Sequence, residues 1–443
     1  MSTKAVGIGM IGLGTVGRGV ATLLRDQACL YARRLGRPIE LKRVLVRDAA
    51  KAASTGLIPA QSLTSDPEAF FATPDMPIVI EVAGGRGPVA AYVRRALQAG
   101  KHIITANKSL LAAEGPELFA LAREQGASIA FEAACGGGIP CITALQFGLM
   151  ANQIDGIYAI LNGTCNFILT AMTRQGQTYR DALAQAQQLG FAEADPTLDI
   201  SGQDAAQKLA ILASLAFGVH VQEQQVSTEG IDTLQIEDLR LGAELGYDVK
   251  LLAIAQRQQE GGAISASVQP CFIHAGELLA KVEGAFNALS IHGHAVGHTF
   301  YYGAGAGGLP TASAVVSDLL NVASGWYPTA FANLHLTADR NGPARIVPSA
   351  DRVSRFYLRV NGLDRPGTMA KVTAILGEAG ISLSAVLQHE TNVGQFVPVV
   401  ITTHDARQGD VDRAVQSIRE LDVIAGEPVV IRIVDLPGQV SAD

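Results

Sequence analysis

Short apolar runs alternate with amphipathic stretches through the first third of the chain. The apolar run AVGIGMI leads into VGRGVATLLRDQACLYARRL, whose apolar residues recur at the spacing of one helix. The alternation continues through the apolar runs IELKRVLV, PIVIEVAG, KHIITAN and SIAFEA and the amphipathic stretches PVAAYVRRALQAG and GPELFALAREQG. Strands that alternate with helices in this way predict βαβ units and a parallel sheet, so we expect a Rossmann-type domain.

Three glycines follow the first predicted strand directly, in the stretch GLGTVG. Gly12, Gly14 and Gly17 stand where a tight turn opens a helix, and the backbone of such a turn can approach a pyrophosphate. A glycine-rich turn without a ligand is the alternative. We expect this turn, with Thr15 and Val16, to bind a dinucleotide.

The end of the second predicted strand, VRD, bears on the choice of cofactor. An acid at this point usually binds the ribose of NAD, whereas a nearby arginine accommodates the 2′-phosphate of NADP. Here Arg47 precedes Asp48, and Lys51 follows closely. We therefore expect NADP(H) to be preferred and NAD(H) to be tolerated, the alternative being that Arg47 is a solvated residue at the end of a strand.

The C-terminal region has a different pattern. Pro328, Gly342, Pro343 and Pro348 mark a boundary. Beyond it come the apolar runs RFYLRVNG, ISLSAVLQH, QFVPVVITTH and VVIRIVD, with the amphipathic stretches MAKVTAILGEAG and VDRAVQSIREL between them. This order predicts βαββαβ, a ferredoxin-like unit.

Composition narrows the class of protein. The chain has 443 residues, is 48% hydrophobic and carries a net charge of −7, which argues against nucleic acid or an anionic membrane as its main partner. Its five cysteines are scattered and odd in number, which fits free thiols in a reducing compartment. No stretch is long and apolar enough to span a bilayer. We expect a soluble cytoplasmic protein of more than one domain.

The stretch EADPTLDISGQDAAQK concentrates charge next to the apolar run LAILASLAF. The pattern predicts a helix that Ser201 caps, with Asp204 in its first turn and Lys208 one turn later on the same face. Such a pair is partly desolvated, and that environment tunes a lysine for acid–base chemistry. The alternative is a purely structural role for Asp204. Lys108, after the strand KHIITAN, is a second candidate, and a solvated loop lysine is its alternative.

Three histidines lie in SIHGHAVGHTF. His292, His294 and His298 alternate along a β-like run, but no cysteine or acid accompanies them. Polar strand residues are therefore a better interpretation than a zinc site.

Seven segments together resemble a known family. GLGTVG, VRD, ITANKSLLA, FEAACGGGIP, ILNGTCNFILTAM, GFAEADPTLDISGQDAAQK and GAGAGGLPTASAVVSDL resemble, in this order, signature segments of the homoserine dehydrogenases. LDRPGTMAKV and the following GIS resemble the ACT domain, which commonly binds amino acids. The resemblance covers essentially the whole chain. It implies NAD(P)H-dependent reduction of L-aspartate 4-semialdehyde to L-homoserine, on the way to threonine and methionine.

The resemblance also implies a domain layout. We expect an NAD(P)-binding Rossmann domain at 1–135, to which 305–330 returns, and an α+β substrate and dimerisation domain at 136–304. A linker at 331–352 then leads to a ferredoxin-like ACT domain at 353–436. No aspartokinase-like segment precedes the first strand, so we expect a monofunctional enzyme, and a homodimer or homotetramer.

Site residues follow from the same resemblance. It implies that Lys208 is the acid–base residue, supported by Lys108 and Asp204, and that the substrate is bound by Glu193, Asp199, Lys108, Gly163 and Thr164. The cofactor would be bound by Gly12, Gly14, Thr15, Val16, Gly17, Arg47, Thr105, Lys108, Gly305 and Gly307. A monovalent cation, Na⁺, would be held by the Glu132 carboxylate and by main-chain carbonyls of Cys135, Gly137 and Ile139. L-Threonine, as the inhibitor, would contact Asp364, Gly367 and Ile381.

Two other functions remain open from the sequence. An aspartate-semialdehyde dehydrogenase acts on the same metabolite but needs a nucleophilic cysteine, for which Cys135 is the candidate. A nucleotide-sensing ACT regulator without catalysis is the second alternative. For the ACT domain itself the alternative role is dimerisation alone, because an exposed sheet edge invites pairing with another chain.

Overall fold

The computed structural model describes residues 4–258, 262–340, 342–389 and 394–437. The chain forms two compact units. The first unit comprises Met1–Ile157, Asp204–Val226 and Phe286–Ala344, and the second comprises Tyr158–Gln203, Ser227–Ala285 and Arg345–Asp443.

In chain order, the strands are β1 (Val6–Ile11), β2 (Ile39–Leu45), β3 (Leu63–Thr64), β4 (Ile78–Glu81), β5 (His102–Thr105), β6 (Ile129–Ala130), β7 (Ile154–Ile160), β8 (Ser227–Thr228), β9 (Tyr247–Arg257), β10 (Ile264–His274), β11 (Phe286–Gly293), β12 (Gly297–Ala304), β13 (Val353–Leu363), β14 (Leu383–Gln388), β15 (Phe396–Thr403), β16 (Ala406–Arg407) and β17 (Ile424–Ile433).

The helices, in the same order, are α1 (Thr15–Asp26), α2 (Ala28–Leu35), α3 (Ala49–Ala53), α4 (Pro67–Phe71), α5 (Gly87–Gln98), α6 (Lys108–Glu124), α7 (Cys141–Thr143), α8 (Gly163–Gln175), α9 (Tyr179–Gln188), α10 (Thr197–Ile200), α11 (Gln203–Phe217), α12 (Ile236–Glu244), α13 (Gly308–Ala323), α14 (Trp326–Asn333), α15 (Thr368–Glu378) and α16 (Gln408–Arg419). A π-helical turn, Ala144–Gly148, continues α7.

The first unit contains the predicted parallel sheet. In the described residues it has six strands in the order β3-β2-β1-β4-β5-β6, and every neighbouring pair is parallel. The strand order reverses between β1 and β4, and in open α/β sheets a ligand binds beyond the carboxyl ends of the strands at this point. The Rossmann-type fold class is confirmed.

Helix α13 packs against α1 within the first unit. A Cβ added at Gly19 on α1 would lie 2.5 Å from the carbonyl oxygen of Gly308, so only glycine allows the two helices to approach this closely. The expected return of 305–330 to the nucleotide-binding domain remains a prediction, as do the domain boundaries.

The second unit contains the C-terminal βαββαβ module, as predicted. Its antiparallel strands follow the order β17-β13-β15-β14. Alternate residues of β13, Phe356, Leu358 and Val360, pack into one apolar core with Val372 of α15 and Ile418 of α16. This is the ferredoxin-like arrangement.

The ACT sheet is not isolated from the rest of the second unit. Strand β10 pairs in parallel with β17, with Cys271 opposite Arg432 and Phe272 opposite Ile433. On its other edge β10 pairs with β9 along its whole length, from Ile264 opposite Arg257 onward. The sheet of the C-terminal module therefore continues into the middle of the chain.

Three predicted helix boundaries are wrong. The helix expected after the glycine turn is interrupted at Gln27, where α1 ends and α2 begins. Helix α6 begins at Lys108 rather than at Gly115, because Asn107 caps it. Ser201 follows α10, and Gly202, with φ +82°, separates it from α11, so Ser201 is not the N-cap of α11.

In the described part of the chain, no helix has the length and apolar character that crossing a membrane requires.

Candidate active site

The carboxylate of Asp204 holds two lysines in the first unit. Nζ of Lys208 lies 2.7 Å from Asp204 Oδ2, and Nζ of Lys108 lies 3.2 Å from Asp204 Oδ1. The Asp204 side chain is 8% exposed, that of Lys208 12% and that of Lys108 30%. The predicted i,i+4 pair is confirmed, and Lys108 joins it as a third member that sequence spacing did not reveal.

Lys108 is positioned by the helix cap that follows β5. Asn107 caps α6 by accepting a hydrogen bond from the Leu110 N–H at 3.1 Å, and its own amide donates to the Gly85 carbonyl at 2.6 Å. Lys108 is therefore the first residue of a capped helix and not a loop lysine. Asn is a preferred N-cap residue, so the sequence held a signal for this cap that we did not use.

Glu81 fixes the loops at the carboxyl ends of β4 and β5. Its side chain is fully buried and accepts hydrogen bonds from the N–H groups of Ala83 and Gly84, both at 2.9 Å, and from the Thr105 hydroxyl at 2.7 Å. Thr105 in turn accepts from the Asn107 N–H at 3.0 Å. Thr105, predicted to bind the cofactor, is thus buried and fixed at the edge of the sheet where a ligand is expected.

The glycine turn has the geometry that a dinucleotide site requires. Gly12 has φ +99°, and a Cβ on it would lie 2.7 Å from the Ala83 nitrogen. A Cβ on Gly17 would lie 2.5 Å from the Gly12 carbonyl oxygen. A Cβ on Gly14, the N-cap of α1, would meet no protein atom within 4 Å in the described residues, so the space beside the helix N-terminus is open. Thr15 and Val16 form the first turn of that helix.

The Asp48 carboxylate is engaged in a local helix cap. Asp48 is the N-cap of α3, and its carboxylate accepts the Lys51 N–H at 2.9 Å. Arg47 is exposed beside it. The carboxylate that would select a free ribose is engaged in a helix cap, while the guanidinium of Arg47 faces solvent.

In the second unit, a polar cluster forms where α8 begins. Asn162, the N-cap of α8, donates to Asp199 Oδ1 at 2.8 Å, and the Thr164 hydroxyl donates to the Phe191 carbonyl at 2.7 Å and lies 3.4 Å from Asp199 Oδ2. Gly163 is the first residue of that helix. Thr164 and Asp199 are therefore brought together as a pair, and Asn162 is a member that we did not predict. Glu193 is exposed on the loop after α9.

The Glu132 carboxylate is bound to the backbone. One oxygen accepts the Ile142 N–H at 2.8 Å, and the other accepts the N–H and hydroxyl of Thr143 at 2.8 and 2.5 Å. Burial raises the pKa of Glu132. The Glu132 N–H donates to Asp318 at 2.9 Å, and burial raises the pKa of Asp318 well above its usual value, with Glu132 adding to the effect.

These two buried acids lie beside the main chain predicted to hold a monovalent cation. The Cys135 carbonyl accepts the Cys141 thiol at 3.2 Å, and the Ile139 carbonyl accepts the Cys141 N–H at 2.8 Å. Carboxylate and carbonyl oxygens suit a hard cation, so the residues fit the predicted ion in chemistry. In the described residues, no cluster of three or more His, Cys, Asp or Glu side chains could hold a metal ion.

Cys135 is a poor candidate for a nucleophile. Its side chain is fully buried, and burial raises the pKa of its thiol to about 12. Since the thiolate is the nucleophilic form, this thiol is inert at neutral pH. Its Sγ lies 3.8 Å from the carbonyl oxygen of Lys208.

The other predicted positions lie on loops and in the C-terminal core. Gly305 follows β12, and Gly307, with φ +125°, precedes α13. Gly367 has φ +92° and opens α15, and Asp364 lies 3.5 Å from the Gln388 amide. Ile381 is buried in the ACT core, so its side chain faces the helices.

The histidines form a stacked pair. The rings of His292 and His298 lie 4.6 Å apart and 4° from parallel, and both contact the Ser290 hydroxyl, at 3.2 and 2.8 Å. His294 accepts the Gln153 N–H at 2.9 Å. His292 on β11 and His298 on β12 are polar strand residues, as predicted, whereas His294 lies in the turn between these two strands.

The doubly wound parallel sheet has an open glycine turn at its switch point, and Lys108, which follows β5, shares the Asp204 carboxylate with Lys208 on α11. This fold and this site define a nucleotide-dependent oxidoreductase. Comparisons with known proteins agree. The family profiles described as "Homoserine dehydrogenase, NAD binding domain", "Homoserine dehydrogenase" and "ACT domain" match residues 12–132, 140–320 and 356–423.

Similar proteins cover almost the whole chain. The homoserine dehydrogenase of Pseudomonas aeruginosa is 41% identical over 437 residues, 98% of this chain and 100% of that protein. A crystal structure of a homoserine dehydrogenase from Thiobacillus denitrificans has a TM-score of 0.91 and 42% identity, covering 98% of this chain and 99% of that one. A hyperthermophilic archaeal homoserine dehydrogenase in complex with NADPH has a TM-score of 0.60 and 28% identity, covering 72% and 97%. The chain belongs to the homoserine dehydrogenase family of oxidoreductases and carries a C-terminal ACT domain.

Proposed function

We propose that the protein reduces L-aspartate 4-semialdehyde to L-homoserine, reversibly, in the biosynthesis of threonine and methionine. The observation that carries this proposal is that one buried carboxylate, Asp204, forms ion pairs with both Lys108 and Lys208. One member of this cluster, Lys108, follows the carboxyl end of β5, the edge at which an α/β sheet binds its nucleotide. Membership of the homoserine dehydrogenase family supports the choice of substrate.

The chain's own residues supply the proton. Bound NAD(P)H provides the hydride for the aldehyde carbon, and negative charge then develops on the carbonyl oxygen. The Lys208 ammonium stabilises that oxygen and donates its proton to it, which completes the alcohol. Asp204 keeps the lysine oriented, and Lys108 adds a second positive charge.

An amino-acid substrate also brings an ammonium and a carboxylate. We assign the ammonium to Glu193 and Asp199. The carboxylate is assigned to Lys108 and to the start of α8, at Gly163 and Thr164, because N–H groups at a helix N-terminus attract anions. The hydrogen bonds that hold Asp199 beside Thr164 and Asn162 support this assignment.

For the cofactor we propose a preference for NADPH with NADH as an alternative. The capping role of Asp48 leaves Arg47 as the charged side chain for a 2′-phosphate. The pyrophosphate would be held by the glycine turn and the first turn of α1, at Gly12, Gly14, Thr15, Val16 and Gly17. The rest of the cofactor site would be lined by Thr105, Gly305 and Gly307. We also propose Na⁺ at the Glu132 carboxylate and the main-chain carbonyls of Cys135, Gly137 and Ile139, because carboxylate and carbonyl oxygens suit a hard cation.

We propose L-threonine as a feedback inhibitor bound by the ACT domain, and a homodimer or homotetramer as the assembly. The full-length Asp364→Ala variant tests the effector site, with exposed Asp405→Ala as its control. We expect the inhibition constant for threonine to rise at least about tenfold in the first variant only. Equal inhibition of both variants would place the effector elsewhere, and an unresponsive parent enzyme would leave the ACT domain with dimerisation alone.

The decisive experiment for the reaction is consumption of NADPH by the purified protein with L-aspartate 4-semialdehyde. We expect turnover, with L-homoserine as the product identified by mass spectrometry. Absence of turnover with both NADPH and NADH would refute the proposed reaction. A parallel assay with L-aspartate 4-semialdehyde, NADP⁺ and inorganic phosphate tests the thiol-dependent alternative, in which NADP⁺ accepts the hydride and an acyl phosphate forms. Acyl phosphate in that assay, without alcohol in the first one, would favour the alternative.

A further inference from the structure

We infer that Glu223 is a positioning residue that sets the separation of the two helices carrying Lys108 and Lys208. The inference rests on the proposed roles of these lysines. Glu223 lies in a turn of 3-10 helix, Glu223–Gln225, that follows α11 in the chain. It acts on each lysine through a neighbouring residue in the sequence.

Glu223 first contacts the helix of Lys208. The side-chain amide of Gln207, the residue before Lys208, donates to Glu223 Oε1 at 3.1 Å. Gln207 is buried, and the Glu223 side chain is 15% exposed. A hydrogen bond between largely buried groups competes little with water, so it constrains α11 at the turn that carries Lys208.

The second oxygen of Glu223 contacts Arg86. The Arg86 guanidinium lies 3.3 Å from Glu223 Oε2, and its Nε donates to both the carbonyl and the hydroxyl of Ser109, at 3.1 and 3.2 Å. Ser109 is the residue after Lys108 at the start of α6. The chain of contacts Gln207–Glu223–Arg86–Ser109 therefore joins the two residues that flank the catalytic lysines.

This series of contacts keeps its strength during proton transfer, whereas the ion pairs of Asp204 with the two lysines do not. The ion pairs of Asp204 depend on the charges of the lysines, and the attraction between Asp204 and Lys208 weakens when Lys208 has given up its proton. The Glu223 contacts use an arginine, which keeps its charge, and an amide, which has none to lose. They hold the spacing of the helices constant through the proton transfer, and small misplacements of catalytic groups reduce rates strongly.

The turn itself does not depend on the Glu223 carboxylate. The Gln222 N–H donates to the side chain of Gln225 at 2.9 Å, and the two residues form a reciprocal capping box. Replacement of Glu223 should therefore leave the local backbone in place, which makes the variant informative.

The test compares Glu223→Ala, Arg86→Ala and the double variant in the full-length protein. We expect kcat to fall about tenfold in each, with KM for NADPH and the melting temperature unchanged. The double variant should fall no further than either single one, because both remove the same connection. Glu223→Gln, which keeps an acceptor for Gln207 but loses the charge, should recover part of the rate.

Arg94→Ala is the matched control. Arg94 on α5 contacts Glu114 on α6 at 2.7 Å and Glu117 at 3.0 Å, so it also links α5 to α6 but away from the lysines. Its kcat should equal that of the parent. Parent-like kcat in Glu223→Ala, or an equal loss in Arg94→Ala, would overturn the inference.

A crystal structure of Glu223→Ala separates this inference from the proposed reaction. We expect the Lys108–Asp204 distance to exceed its present 3.2 Å, whatever substrate the enzyme uses. An unchanged distance would refute the positioning role. An altered distance in a protein that does not reduce aspartate semialdehyde would refute only the reaction.

Discussion

Lys208 and Asp204 lie one helical turn apart on α11 with 2.7 Å between Nζ and Oδ2, and both side chains are almost buried. The second oxygen of the same carboxylate holds Lys108 at 3.2 Å. One buried negative charge is therefore shared between two ammonium groups. That balance leaves the cluster with a net positive charge, which suits an oxygen that becomes negative during reduction.

Replacement of Lys208 by alanine should abolish reduction while leaving the cofactor site intact. We expect kcat to fall by about 10²–10⁴, the contribution of a positioned proton donor. The measurement is steady-state NADPH consumption, with NADPH binding followed by fluorescence. Lys101→Met, which removes a half-buried lysine bonded to the Met76 carbonyl, is the control and should retain turnover. Turnover above a tenth of the parent rate in Lys208→Ala would refute its role.

The Arg47→Ala variant should lose its preference for NADPH. A charged hydrogen bond to the 2′-phosphate contributes roughly 1.5–3 kcal/mol, so the ratio of kcat/KM for NADPH over NADH should fall about 10–150-fold. Arg33→Ala changes an exposed arginine on α2 and should leave this ratio unchanged. The same ratio in Arg47→Ala as in the parent would show that another group reads the phosphate.

Iodoacetamide should not inactivate the enzyme. Because burial raises the pKa of the Cys135 thiol to about 12, this group stays protonated and inaccessible at pH 8, while exposed Cys29 is alkylated. Peptide mass spectrometry with parallel turnover measurements tests this expectation, and protein in denaturant gives the fully alkylated reference. Loss of activity in step with alkylation of Cys135 would revive the thioester route.

Removal of Arg359 should strongly destabilise the protein. Its guanidinium donates to Asp238 at 2.5 and 3.0 Å, with the two side chains 4% and 0% exposed, and the Tyr357 hydroxyl contacts the same carboxylate at 3.0 Å. Arg359→Met leaves a buried acid without its charged partner, so we expect a loss of about 3–5 kcal/mol in the free energy of unfolding.

Urea denaturation measures this loss. Arg419→Met, which breaks an exposed ion pair with Glu427, is the control and should lose at most about 1 kcal/mol. Equal losses in the two variants would mean that burial of the Asp238 pair has no energetic consequence.

His292 should make stability depend on pH. Burial, with a contribution from His298, lowers the pKa of His292 to about 4, while Asp155 opposes the shift. Between pH 4 and about 6.5 the unfolded chain therefore binds the proton more readily, and stability falls as the pH falls through this window. The contribution of His292 is fully present above pH 6.5.

The His292→Gln variant tests this dependence. We expect the parent to lose about 1–3 kcal/mol more than the variant between pH 7 and pH 4.5, from urea unfolding at the two values. Identical pH profiles would show that His292 is not the group responsible.

Most of the fold could be predicted from local patterns in the sequence. The βαβ alternation, the glycine turn and the βαββαβ module each depend on residues close in sequence, and the Lys208–Asp204 pair follows from helical spacing alone. The ends of the helices could be predicted less well from the sequence. The start of α6 at Lys108 depended on Asn107, whose amide also reaches the Gly85 carbonyl across a gap in sequence.

The sequence by itself determined the class of domain, the glycine turn and one charged face of one helix, because periodicity and capping act over a few residues. Only the tertiary structure decided that Lys108 shares the carboxylate of Asp204, that Glu81 fixes the neighbouring loops, and that Glu223 and Arg86 connect the two lysine-bearing helices. The longest of these contacts, between Arg86 and Glu223, joins residues 137 positions apart. The chain can bring such residues together only by burying apolar surface elsewhere.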